Sequence, residues 1–294
     1  MMIPPMKLKK LENIFKSFET YILKNPPKIP SFHPYYEKAL WEMLQSGGKR
    51  FRPNLLLSVV YAHCPKQIKN AFAPALALEV LHTYSLIHDD LPSMDNASLR
   101  RGIPTLHTKY DEVGAILVGD GLNTHSFYLI STSKLKAKIK IKLIQSLSYN
   151  GGIFGMVLGQ ALDCYFENQT LSLDKLQTIH LNKTAKLIAA ALEMGGIISQ
   201  CDKKTLKSLY TLGLNLGLFF QIRDDIIDIT QSTKEAGKTT QQDAYKNSYV
   251  NLLGLEKAKQ ETLKLQSQIQ KQLNSLTPQV RETLQLLLKD YFKV

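Results

Sequence analysis

Leu81-His82-Thr83-Tyr84-Ser85-Leu86-Ile87-His88-Asp89-Asp90-Leu91-Pro92-Ser93-Met94-Asp95 carries an apolar, helix-like pattern straight into a cluster of carboxylates. A second stretch repeats the plan: the apolar run 212–222 leads into Asp224-Asp225-Ile226-Ile227-Asp228. Carboxylates gathered at the end of an apolar helix repel one another, and burial disfavours their ionised form. A hard cation removes both costs. Mg²⁺ takes oxygen ligands, and one or two carboxylates with substrate phosphates commonly complete its shell. Basic residues suited to phosphate stand close by: Arg100 and Arg101 after the first cluster, Lys238 after the second. The pattern predicts a phosphate-bearing substrate held through metal.

Spacing refines this picture. Asp224 and Asp228 are four apart, so they share one helix face. Asp89 and Asp95 are too far apart for that. Pro92 disfavours helical geometry at Leu91, so the helix is expected to end there and the chain to fold Asp95 back toward Asp89. His82 precedes Asp89 by seven residues, about two turns along the same face.

The remaining periodicity is helical. No proline stands between Pro104 and Pro278, which suits long helices. Segment 72–90 is apolar on nearly every face and predicts a central, buried helix. Segments 112–130, 141–161, 184–199 and 205–231 read the same way, and 7–24 reads as an ordinary first helix. No Gly-rich nucleotide loop and no repeat of 20–50 residues is visible. The expected fold is all-α: one domain over 1–294, a helical bundle around a deep central cavity. Linker-like stretches fall at 23–34 and 231–248.

Composition bounds the function. No run of 18 uncharged apolar residues occurs, so no integral membrane segment is expected. The start lacks a signal-peptide core, and cytoplasmic is the expected location. Cys64, Cys164 and Cys201 are odd in number and far apart, which fits neither a disulfide framework nor a zinc site. The net charge of +12 raises nucleic acid as a partner. The densest basic run, 134–142, has no aromatic residue for base stacking, so no nucleic-acid partner is expected. It reads instead as a solvated face or an inter-helix connection, with a short strand also allowed by its alternation.

With these residues in place, the chain resembles the trans-isoprenyl diphosphate synthases, in particular the bacterial farnesyl type. The aspartate clusters match that family's two motifs. Further matches run in order: Gly47-Gly48-Lys49-Arg50-Phe51-Arg52-Pro53, His82, Leu99-Arg100-Arg101-Gly102, Gly119-Asp120, Gly159-Gln160-Ala161-Leu162-Asp163, Lys183-Thr184 and Phe220-Gln221. The resemblance implies condensation of isopentenyl diphosphate with dimethylallyl or geranyl diphosphate. It implies Mg²⁺ as cofactor, three ions per site, with Mn²⁺ as a substitute. It implies that Asp89, Asp95 and Asp224 are metal ligands supported by Asp90, Asp225 and Asp228, and that the two clusters meet across a cavity. Lys183, Arg100, Gln160 and Lys238 match contacts to the allylic diphosphate. Gly48, Lys49, Arg52, His82 and Arg101 match contacts to isopentenyl diphosphate. Lys183, Thr184 and Gln221 match positions beside the allylic cation. Tyr84, with Ser85 above it, is the expected floor for the growing chain. A homodimer is also implied, and the greasy segments 112–130 and 141–161 agree with it.

Three departures from the family pattern stand out. Asn96-Ala97-Ser98 replaces further acid after Asp95, Lys186 follows Lys183-Thr184 where small residues are usual, and the loop after Lys238 lacks its usual glycine. A geranyl or geranylgeranyl diphosphate synthase is the alternative within the class. A non-catalytic subunit of a prenyl synthase is the alternative outside it, disfavoured because both aspartate motifs are present. A terpene cyclase would have no use for Lys49 and Arg52.

Overall fold

The computed structural model describes residues 5–230, 247–289 and 291–292. They form two compact units, 1–144 and 145–294.

In the first unit, α1 (Pro5–Lys24) is followed by an extended stretch, then α2 (Tyr36–Gln45) and α3 (Phe51–His63). The central helix α4 (Ile68–Asp89) packs on α3, on α1 and most extensively on α6. Leu76, Leu78, Val80 and Leu81 are all buried although they point in different directions, as expected of a helix apolar on every face. Pro74 lies inside it. A two-stranded antiparallel hairpin, β1 (Leu99–Arg100) and β2 (Ile103–Pro104), follows the first aspartate cluster. Then come α5 (Leu106–Lys109), α6 (Glu112–Ser131) and α7 (Ala137–Gly151), which runs across the division.

In the second unit, α8 (Met156–Phe166) and α9 (Leu173–His180) lead into a π-helical turn, Leu181–Ala185. That turn continues into α10 (Lys186–Ile198), followed by α11 (Lys203–Thr230), α12 (Tyr249–Leu253), α13 (Leu255–Ser275) and α14 (Pro278–Leu288). A close seam joins the π turn and α10 to α11. A Cβ on Gly213 would meet the Ala189 Cα at 2.3 Å, and one on Gly217 would meet the Ala185 Cα at 2.3 Å. Small residues four apart on both helices thus let the backbones touch.

The all-α expectation holds, and two details differ from the sequence reading. Segment 141–161 is not one helix: it breaks between Gly151 and Met156. At the break a Cβ on Gly155 would lie 1.9 Å from the Asn150 carbonyl oxygen, so the turn requires glycine at that position. Nor are all the apolar helices fully buried. Val113, Leu117 and Tyr128 of α6 are exposed, as are Ile153, Phe154 and Tyr165 in the second unit. The basic run 134–142 forms a connection and the start of α7, with Leu135, Ile139 and Leu143 turned inward at helical spacing. Among the described residues no helix is long and apolar enough to cross a membrane. All three cysteines are free.

Candidate active site

Helix α4 ends at Asp89, and the chain reverses as Pro92 demands. The Asp95 N–H donates to the Asp89 carbonyl at 2.9 Å, that of Asn96 to Leu91 at 3.1 Å and that of Ala97 to Asp90 at 3.2 Å. Asp95 is therefore folded back toward Asp89, as its spacing from Pro92 predicts. Asn96 occupies the corner with φ of 47°, a left-handed conformation that asparagine tolerates better than most residues. This gives one departure from the family pattern a conformational reason. Asp90 points inward and is 2% exposed. The Arg100 Nε and Nη2 both reach its Oδ1 at 2.6 Å. Burial raises the Asp90 pKa against the opposing pull of Arg100.

Asp89 and Asp95 offer hard carboxylate oxygens from one reversed loop. Among the described residues no three Asp, Glu, His or Cys side chains gather into a set able to hold a metal alone. Two carboxylates completed by phosphate and water are a donor set that suits Mg²⁺.

A second cluster, of arginines around a glycine turn, forms in the same unit. Gly47 and Gly48 turn with φ of 90° and 123°. A Cβ on Gly48 would lie 2.8 Å from the Arg101 guanidinium carbon, so only glycine leaves that guanidinium its place. The Arg101 Nη1 donates to the Gly47 carbonyl at 2.6 Å. Helix α3 starts two residues before Pro53, with Arg50 at its N-cap in a left-handed conformation. Arg50, 4% exposed, donates to Glu79 at 2.9 Å, to Glu19 at 2.9 Å and to the Leu44 carbonyl. The Arg52 Nη1 lies 3.0 Å from the His82 Nε2. Burial lowers the Arg52 pKa to about 10, with Glu79 opposing. Burial, reinforced by Arg52, Arg101, Arg100 and Arg50, holds His82 well below its usual range. Gly48 and Lys49 line a cavity of about 440 Å³ whose other wall includes Phe15 and Lys16 of α1. Tyr84 is buried on α4 with its ring edge-on to His88 at 5.6 Å. The Ser85 hydroxyl donates to the His82 carbonyl.

The second unit assembles the other predicted residues around the π turn. Such turns recur at functional sites. A Cβ on Gly159 would lie 2.1 Å from the Lys183 backbone nitrogen, so α8 packs directly on that turn. The Lys183 Nζ pairs with Asp163 at 2.6 Å. The Thr184 hydroxyl donates to the Gln221 Oε1 at 3.1 Å. The Gln221 Nε2 reaches the Asp225 Oδ1 at 3.5 Å, and the Tyr249 N–H donates to the other Asp225 oxygen at 2.9 Å. Asp224 is exposed one turn from buried Asp228. The Gln160 Nε2 lies 3.5 Å from the Cys164 sulfur. Lys186 turns away from Lys183: it donates to the Phe154 carbonyl and sits over the Tyr149 ring at 5.7 Å. Lys238 lies outside the described residues.

Sequence reasoning missed Glu79, Asn247 and His180. Glu79 had a signal, a lone carboxylate inside an apolar helix, which needs a buried partner. Asn247 had none. Its amide donates to the Phe166 and Gln169 carbonyls at 2.9 and 2.8 Å and accepts from the Leu171 N–H at 3.2 Å.

An all-α fold with two aspartate clusters and a cluster of arginines fits the polyprenyl synthetases, and the chain belongs to that family: its profile matches residues 33–287. The chain is 44% identical over 243 residues to the farnesyl diphosphate synthase of Micrococcus luteus, covering 81% of this chain and 83% of that protein. It is 38% identical to a chloroplastic geranylgeranyl pyrophosphate synthase of Capsicum annuum, covering 93% of this chain and 73% of that one. Among solved structures it is similar to a geranyltransferase from Helicobacter pylori, complexed with magnesium and isoprenyl diphosphate. That match has 50% identity, a TM-score of 0.94 and full coverage of both chains.

His180 offers a pH test of the second unit. It is buried and stacks on Tyr249 with ring centres 5.7 Å apart. Burial pushes its pKa down to about 4, with Asp163 opposing and Lys183 reinforcing. Between about pH 6.5 and 4 the unfolded chain takes up a proton here that the folded chain refuses, so stability is lost as pH falls. His180→Phe keeps a ring against Tyr249 and removes the titration. Urea unfolding at pH 7 and pH 4.5 should show the parent chain losing about 2–3 kcal/mol more than the variant. Parallel losses would contradict this assignment.

Proposed function

We propose that this chain joins isopentenyl diphosphate to dimethylallyl and then geranyl diphosphate, giving farnesyl diphosphate and inorganic diphosphate. The observation that carries the reading is the cluster of Arg50, Arg52, Arg101 and His82 gathered around the buried Glu79. Arg52 and Arg101 leave this cluster with more guanidinium than carboxylate, which fits an anionic ligand. The identity to bacterial farnesyl diphosphate synthases supports the substrate class. The chain is a prenyltransferase, and we read 1–294 as one catalytic domain, since the family match runs through both units. Its location in this reading is the cytoplasm.

Gly48, Lys49, Arg52, His82 and Arg101 hold isopentenyl diphosphate. Arg100, Lys183, Gln160 and Lys238 serve the allylic diphosphate. Asp89, Asp95 and Asp224, supported by Asp90, Asp225 and Asp228, would hold Mg²⁺, which when bound would supply Lewis-acid stabilisation of the departing diphosphate. The allylic C–O bond breaks, and its electron pair leaves with diphosphate. Thr184, Gln221 and Lys183 flank the resulting cation, held in place by the hydrogen bonds described above. The isopentenyl double bond attacks to form the new C–C bond, and the proton then lost passes to the released diphosphate. Apolar walls keep water from the cation.

Replacing Asp89 or Asp224 by Ala should lower turnover about 10³-fold or more while the circular dichroism spectrum stays unchanged. Near-normal turnover after EDTA treatment would overturn the metal assignment. Exposed Val113, Leu117, Tyr128, Ile153 and Phe154 are the residues we expect a second copy to cover. Sedimentation equilibrium at micromolar concentration should therefore report twice the mass of the chain, and a monomer counts against a homodimer. Tyr84 is five residues before Asp89, about 7.5 Å deeper along α4, where its ring would stop the growing chain. Tyr84→Ala should shift products from fifteen carbons to twenty or more. An unchanged product pattern at normal turnover places the floor elsewhere.

A further inference from the structure

Lys186 stands where small residues are usual, and the proposed chemistry gives it no part. It opens α10 directly after the π turn. Its ammonium donates to the Phe154 carbonyl and sits 5.7 Å from the centre of the Tyr149 ring. A lysine ammonium has three donors and no acceptor, so it can serve a carbonyl and an aromatic face together. The Tyr149 ring in turn stacks on that of Phe154, with centres 5.2 Å apart and planes 20° apart. All of these contacts fall on the break between α7 and α8. From its other side the break is held by buried Asn150, whose amide donates to the Ser146 carbonyl at 2.8 Å and accepts from the Tyr210 hydroxyl at 2.7 Å.

Segment 183–186 therefore meets α8 and its approach at three points. Lys186 holds the Phe154 carbonyl ahead of the first turn. The Lys183 backbone nitrogen lies against Gly159 in the middle. The Lys183 ammonium pairs with Asp163 toward the far end. This third point is open to water: the Lys183 and Asp163 side chains are 29% and 38% exposed, and an ion pair so placed contributes little. It is also the point for which a bound diphosphate would compete, since one ammonium cannot give its full charge to both partners.

On the reading that Lys183 and Gln160 serve the allylic diphosphate, we infer that Lys186 is a positioning residue: it pins the approach to α8, so that Gln160 keeps its place beside the π turn when Lys183 turns from Asp163 to the diphosphate. Lys186 itself touches no substrate. A direct phosphate contact and a merely solvated lysine are the two other readings, and the tests separate them. Lys186→Met keeps the apolar stem and removes the ammonium. Lys186→Arg keeps both a donor for the carbonyl and a cation for the ring.

Hydrogen exchange of the full chain without ligand should show amides 151–163 exchanging about tenfold faster in Lys186→Met than in the parent, with α9 unchanged. Lys186→Arg should restore the parent rate. Unchanged exchange in Lys186→Met overturns the proposal, because neither a solvated lysine nor a direct phosphate contact moves these amides. Adding inorganic diphosphate with Mg²⁺ should widen the gap between parent and Lys186→Met, and a gap that closes overturns it. In steady-state assays Lys186→Met should raise KM for geranyl diphosphate about five- to tenfold, with KM for isopentenyl diphosphate within about twofold of the parent. An equal rise in both constants marks a general loosening, and faster exchange with both constants unchanged marks a purely structural lysine; either result overturns the proposal. Lys183→Met tests the subsite separately. If it leaves KM for geranyl diphosphate unchanged, the allylic reading of that lysine fails, and the ligand-free exchange still decides whether Lys186 pins α8.

Discussion

The buried pair of Arg50 and Glu79 is the constraint on which the first unit turns. Burying two charges is costly, and their attraction offsets the cost only when the remaining hydrogen-bonding capacity is also met. Here it is met on the arginine side by Glu19 and the Leu44 carbonyl. The pair ties α1, the end of α2, the start of α3 and the middle of α4 to a single point. It also holds Arg50 in a left-handed conformation, which costs on the order of 1–3 kcal/mol and persists only where neighbours over-determine it. The Gly47-Gly48 turn and the Arg101 guanidinium seated against it follow from that anchoring. A strained, charged and buried corner is a poor device for stability. It is a good one for holding the neighbouring arginines still.

Much of this was legible in the sequence, for identifiable reasons. The apolar run before Asp89 gave the central helix because burial on every face leaves no alternative. Pro92 gave the reversal of the loop because it forbids helix at Leu91. The four-residue spacing of Asp224 and Asp228 put both on α11. Other features depend on contacts that spacing cannot reveal. Arg50 sits in a basic motif between Lys49 and Arg52 yet spends its donors on protein groups. Asp90 belongs to the aspartate cluster yet turns inward to Arg100. The break at Gly155 was hidden because Gly151-Gly152-Ile153-Phe154 keeps the apolar pattern going while the backbone leaves the helix. The partial exposure of α6 was hidden for a related reason: composition shows that a face is greasy, not whether this chain covers it.

The π turn shows how a local irregularity can serve several residues at once. A regular α-helix would point Lys183 and Thr184 by the fixed angular step of that helix. The wider turn changes this step within one stretch. Lys183 then meets Asp163 of α8 while Thr184 meets Gln221 of α11. Gln221 is itself oriented by Asp225, and Asp225 by the backbone of Tyr249. The second aspartate motif is therefore divided by side: Asp224 stays exposed while Asp225 secures the amide next to it.

The glycine seam between α10 and α11 has a consequence of its own. Because Gly217 lies against Ala185, and Ala185 directly follows Thr184, the separation between the hydroxyl of Thr184 and the amide of Gln221 is gauged by the absence of a side chain one helical turn away. The seam works as a caliper whose jaws close on backbone alone. A single methyl group there would open the jaws without altering either member of the polar pair. The reach of the polar pair is thus written into positions that carry no chemistry, and a larger residue at Gly213 or Gly217 would register first as a wider gap between Thr184 and Gln221.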